Sequence, residues 1–215
     1  MANNKDNLWS AISLCKRNIQ NRLFKINTMG KNKIVFFCVL FFTICLSPIG
    51  KSSDYNTNKL RIQLQKVYTG EANVREETGN NDGPRILEYQ KAANIPKGSP
   101  YCAAGITWSF KQIGFKTIVS GYSPNWFPNR LVIYRKGQKV TQIPDIGDVL
   151  GLWINSKNRI GHVGFVNENW NNLSAFINTF EFNTNGKGSD DGGGNHYLRR
   201  LKSQIKKVSS PLSYL

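Results

Sequence analysis

Histidine, methionine and acidic side chains are scarce in this 215-residue chain: two His, two Met, and 13 Asp or Glu against 29 Lys or Arg. Cysteine is scarcer than its count of four suggests. Cys15, Cys38 and Cys45 all lie near the start, leaving Cys102 as the one thiol after residue 45. A single thiol excludes an internal disulfide from that part of the chain. The sequence also lacks an apolar run of the ~18–20 residues a membrane-spanning helix wants. It has no zinc-finger spacing, no RNA-motif aromatics and no helix-turn-helix pattern, so the nucleic-acid reading of its basic charge has no support. No internal repeat and no second domain is visible. No metal and no cofactor is expected.

The net charge of +16 is unevenly distributed. Residues 1–33 carry seven Lys or Arg and one acid, Asp6, and precede the apolar run IVFFCVLFFTICL from Ile34 to Leu46. A basic stretch, a short apolar core and small residues after it have the proportions of a secretory signal. Met29 opens such a signal by itself, so residues 1–28 read as an extension from an over-long gene start, and 29–52 as the signal. An uncleaved anchor is the alternative, and it would be the chain's one membrane contact. Bulky Ile44 before Cys45 argues against lipidation. The expected location is therefore the periplasm, cell envelope or exterior. An unpaired cysteine in an exported protein points to intermolecular pairing or a reactive role.

From Lys51 onward 22 basic residues face 12 acidic ones, a net of +10. Such a surface attracts polyanions in general, and outside the cell an anionic wall polymer is the relevant one. Residues 53–58 read as a polar linker. Leu60, Leu64, Val67 and Tyr68 then form one helical stripe ending at Gly70. Pro84 opens a short second helix, with Asp82 as its expected cap. Ile106, Phe110 and Ile113 mark a third over 101–113, stopped by Gly114. Strands follow: RLVIY, DVLGLWI, HVGFV, AFINTFEFN and HYLRRL. Helices first and strands later, joined by hairpin-sized turns, give an α+β fold with a mostly antiparallel sheet of about five strands. The domain is expected over 59–202, with 203–215 as a basic tail and a monomer as the state.

If the third helix begins at Cys102, the sulfur sits beside unsatisfied N–H groups at the positive end of the dipole, which favours the thiolate. A cysteine nucleophile needs a base in hydrogen-bond reach. Of the two histidines, His196 follows a Gly- and Asp-rich stretch, whereas His162 opens a short apolar strand behind Gly161 and is the better partner. Gly164, two residues on, leaves the same face open. Strict alternation in INTFEFNTN puts Phe180 and Phe182 on one face and Glu181 and Asn183 on the other. Either Glu181 or Asn183 is then placed to accept from the His162 ring.

The ordered set NVREETGNNDGP, GSPYCAAGITWSFKQIG, GYSPNWFP, PDIGDVLGLW, GHVGFV and FINTFEFNTNG resembles a CHAP domain, a cysteine amidohydrolase/peptidase module with a papain-like, NlpC-related fold. The likeness runs from about Leu60 to Arg200. It implies a peptidoglycan hydrolase, either an N-acetylmuramoyl-L-alanine amidase or an endopeptidase. Cys102 would be the nucleophile, His162 the base and Glu181 its orienting group, with Asn183 beside it. The Cys102 N–H would supply part of the oxyanion hole, and Tyr101 and Trp126 would wall the substrate groove. Two positions depart from the family pattern: Tyr101 stands where Trp is usual, and Gly105 where a larger apolar residue is common. The acidic run that binds calcium in some relatives is absent before Cys102. Two alternatives remain open, an inactive wall-binding module and a delivered antibacterial lysin.

Overall fold

The computed structural model describes residues 51–213 apart from residue 141, so the expected extension, the N-terminal cysteines and the expected signal up to residue 50 lie outside it. Three helices come first: α1 (Lys51–Thr69), α2 (Pro84–Ala92) and α3 (Cys102–Gln112). Six strands follow: β1 (Val132–Arg135), β2 (Val149–Ile154), β3 (Arg159–Val166), β4 (Phe176–Thr184), β5 (Gly194–Leu201) and β6 (Ile205–Ser209). They form one antiparallel sheet in the order β1-β6-β2-β3-β4-β5. The α+β class is as expected. Among the described residues no helix is long and apolar enough to cross a membrane.

Three expectations are corrected. Residues 53–58 are not a linker but the first turns of α1. The expected tail over 203–215 is not a tail in its described part, residues 203–213, because β6 inserts between β1 and β2 in the sheet. Its sequence IKKVS hides the strand, since Ile205 and Val208 are three apart where alternation demands two. The structure absorbs the extra residue as a bulge at Lys206 of β6, opposite Gly151 and Leu152, so that Leu150 faces Val208 and Leu152 faces Ile205. All four are buried in one cluster. The third correction concerns Asp82. The α2 cap is Gly83, with no side-chain bond, while the Asp82 carboxylate accepts from the Thr78 N–H at 2.9 Å and the Thr78 hydroxyl at 2.6 Å. It ties the preceding loop rather than the helix.

The sheet has apolar residues on both faces. Val149, Val163, Phe165, Phe180 and Phe182 pack against α3 and the other helices, whereas Leu150, Val166 and Ile177 join the smaller cluster with Ile205 and Val208. Every residue of α3 from Cys102 to Phe110 is buried, so this helix forms a central strut of the fold. Gly105 explains itself here: a Cβ at this position would lie 2.3 Å from Cγ of Phe182. The helix can approach β4 only without a side chain at 105. Buried Arg61 of α1 fastens the N-terminal helix to the end of the chain. Its guanidinium contacts the Asp148 carboxylate at 2.8 Å and donates to Ser210 Oγ at 3.1 Å and Ser213 Oγ at 3.2 Å.

Candidate active site

Cys102 is the first residue of α3. The first N–H groups of a helix have no partner within it, so the sulfur sits among backbone donors at the positive end of the dipole. Burial pushes the thiol up, but the His162 ring, the Ser123 hydroxyl and the Ala103 N–H together hold it below its ordinary value. Ser123 Oγ lies 3.5 Å from the sulfur. Cys102 is the free cysteine among the described residues, and it is only 4% exposed.

The His162 ring, carried by β3, acts electrostatically on the Cys102 thiol. Its Nε2 is 2.8 Å from Oε2 of Glu181. An ionised carboxylate can only accept, so Nε2 carries the proton and Nδ1 is the nitrogen left for the sulfur. Nδ1 has no hydrogen-bond partner among the described residues, so it is free for the sulfur. Burial alone would lower the imidazole, yet Cys102 and Glu181 raise it to about 9. A thiol held down and an imidazole held up favour a thiolate–imidazolium pair, whose two titrations belong to the pair rather than to either residue.

Glu181 reaches His162 because β3 and β4 pair Gly164 opposite Glu181. A Cβ at Gly164 would come within 2.5 Å of Glu181 Cγ, so the glycine is the clearance through which the carboxylate crosses. The carboxylate is buried, and it is fully engaged. Arg200 Nε donates to Oε1 at 2.8 Å, Arg200 Nη2 to Oε2 at 2.6 Å, and Thr179 Oγ1 to Oε1 at 2.7 Å. Burial would raise its pKa, but Arg200 and His162 lower it to about 2. Arg200 is itself positioned by donating from Nη1 to the Gly188 carbonyl at 3.0 Å. The result is a buried chain of four groups, Cys102, His162, Glu181 and Arg200.

The sequence reading therefore finds Cys102, His162 and Glu181 together and misses Arg200, Ser123 and Thr179. A signal for Arg200 existed, since a carboxylate between two phenylalanines needs a cation and β5 carries adjacent arginines. The other site expectations are corrected. Asn183 does not face the imidazole. The β4–β5 register shifts between Glu181 and Thr184, and Asn183 takes a left-handed φ of 53°, which ends the alternation. Its amide instead accepts from the Tyr101 N–H at 3.2 Å and donates to the Gly192 carbonyl at 3.1 Å, pinning the residue just before α3. Trp126 does not line a groove either. It is fully buried and stacked on Phe110 with ring centroids 5.6 Å apart. Tyr101 is equally buried, its ring 5.9 Å from that of Tyr89. His196 lies on β5 opposite Glu181, without a hydrogen bond to the thiol.

The groove that opens onto Cys102 has a volume of about 280 Å³. Pro96 and Pro100 line it before α3, Tyr122 and Ser123 after it, and Lys157, Arg159 and Gly161 from the β2–β3 hairpin. The aromatic that walls it is thus Tyr122, which is 48% exposed. A second cavity, about 500 Å³, borders His162 and carries Trp153.

No family model, no curated protein and no solved structure matches this chain.

No group of three or more His, Cys, Asp or Glu that could hold a metal occurs among the described residues. What the arrangement can do is form a thiolate, present it at a helix N-terminus beside orphan N–H groups, and shuttle a proton through an imidazole locked in one tautomer.

Proposed function

We propose that this protein is an exported CHAP-like cysteine hydrolase with a papain-like fold, cleaving an amide bond of peptidoglycan. One observation carries the reading. The buried His162 turns Nε2 to Glu181 and leaves Nδ1 to the Cys102 thiol at the head of α3. A structural cysteine has no need of an imidazole fixed by a carboxylate that is itself clamped by arginine.

In the reaction the Cys102 thiolate attacks the amide carbonyl carbon, and the oxygen becomes an oxyanion held by backbone N–H groups at the start of α3. The His162 imidazolium gives its Nδ1 proton to the leaving amine, and the C–N bond breaks to leave a thioester. Water then attacks the thioester, His162 takes its proton, and the carboxylic acid departs. Glu181 keeps the ring in the productive tautomer and stabilises its charged form throughout. The basic surface, +10 from Lys51 onward, favours an anionic wall polymer as the place of action. A wall-binding module without activity would have no use for the linked Cys102, His162, Glu181 and Arg200.

Mass spectrometry of muropeptides released from purified wall tests the reading. The expected products carry one water added across a single type of amide, which also names the bond. Intact muropeptides after prolonged incubation would overturn it.

A further inference from the structure

The groove beside Cys102 holds four charged side chains, Lys157, Arg159, Asp190 and Asp191, and they are not equivalent. Lys157 is already matched, with Nζ 2.7 Å from Asp190 Oδ2. Arg159 has no carboxylate within ion-pair distance among the described residues. Its guanidinium lies 4.8 Å from the centroid of the Tyr122 ring, and Nη1 donates to the Ile160 carbonyl at 3.0 Å. Stacking on an aromatic face fixes the plane of a guanidinium while leaving its in-plane donors available.

Both members of this stack are tied to the reacting groups. Tyr122 adjoins Ser123, whose hydroxyl touches the Cys102 sulfur. Arg159 opens β3 three residues before His162 and pairs with Ile154 across the hairpin. A cation built onto rigid elements next to a nucleophile, planar and without an acidic partner, suits a planar anion.

We propose that Arg159, held over the Tyr122 ring, binds a carboxylate of the substrate close to the scissile amide, and that the enzyme selects wall strands whose peptide carboxylates are free. This rests on the reading of Cys102 as a wall-amide hydrolase and adds to it a recognition element. Asp191 on the β4–β5 loop also lines the groove and would disfavour a carboxylate next to itself.

The test compares purified peptidoglycan with the same wall after its carboxylates have been converted to methylamides. Wild type is expected to cut the amidated wall at least about tenfold more slowly, a charge-assisted pair being the interaction lost. Arg159→Gln is expected to slow cleavage of native wall by a similar factor and to treat both walls alike within about twofold. Lys66→Gln, an exposed charge on α1, is expected to keep the wild-type preference, which separates local recognition from bulk attraction. Equal rates of wild type on both walls would overturn the inference alone, as would an Arg159→Gln enzyme that keeps the preference or a Lys66→Gln enzyme that loses it. Failure of wild type to cut native wall would overturn the hydrolase reading and this inference with it.

Discussion

Arg200 grips Glu181 with two nitrogens, Nε on Oε1 at 2.8 Å and Nη2 on Oε2 at 2.6 Å, inside a buried site where the same carboxylate also receives the His162 ring. A carboxylate in that position would be costly without a cation. The arginine therefore makes the orienting group sustainable, one step removed from the chemistry.

Replacing Arg200 by Met should leave an inadequately paired buried charge. Breaking such a pair costs about 3–5 kcal/mol, seen as a lower urea midpoint. The role is positional, so Arg200→Lys should recover part of the stability but little of the rate, because a point charge cannot reproduce the two-pronged contact. A Met variant with unchanged stability and unchanged kcat would contradict this role.

The pH profile of kcat/KM should be a broad bell. Thiolate formation is pulled below the ordinary cysteine value, and the imidazolium survives to about 9. Activity should thus be near its plateau at neutral pH and fall as pH rises through about 9, when the imidazolium loses its proton. In Glu181→Gln the negative charge that raises His162 is gone, so the alkaline limb should move to lower pH. A limb that stays in place would disprove the contribution of Glu181.

The same shifts make folding pH-dependent, with opposite signs. His162 has a raised pKa in the fold, so its contribution is complete below its ordinary value of 6.5 and is lost as pH rises through about 9. Glu181 has a depressed pKa, so its contribution is present above 4.5 and is lost as pH falls toward about 2. Urea titrations across this range should show His162→Gln losing the alkaline slope and keeping the acid one.

Gly105→Ala should destabilise the protein despite the better helix propensity of alanine. The propensity gain is about 1 kcal/mol, while the new Cβ would overlap Phe182 at 2.3 Å. That ring is fixed by edge contacts with Tyr89 and Phe180, centroids 5.3 and 5.4 Å away, so it cannot withdraw cheaply. Overpacking costs about 1–3 kcal/mol, and the midpoint should fall. A midpoint at or above wild type would show that the helix can shift.

How much of this was legible beforehand depended on whether local pattern or long-range pairing decided each residue. The helix starting at Cys102, the strand bearing His162 and the face bearing Glu181 follow from local periodicity, and all three appear as read. The failures lie where a bulge breaks alternation. One at Lys206, opposite Gly151 and Leu152, conceals β6, and one after Glu181 turns Asn183 from the imidazole to the Tyr101 backbone. Trp126 and Tyr101 failed for another reason: an aromatic beside a reactive residue is as readily core as groove wall, and only packing tells. Gly105 stands where the CHAP resemblance implies a larger apolar residue, and Phe182 packed against it gives the physical reason for glycine. Arg200 was beyond periodicity, since its role depends on the β4–β5 register.

The most direct measurement is the release of soluble fragments from purified peptidoglycan by wild type and by Cys102→Ala, with folding of both verified by their urea midpoints. Clearing by wild type and none by Cys102→Ala is the predicted result. Equal clearing by two folded proteins would contradict the thiol mechanism, and no clearing by either would contradict the hydrolase itself.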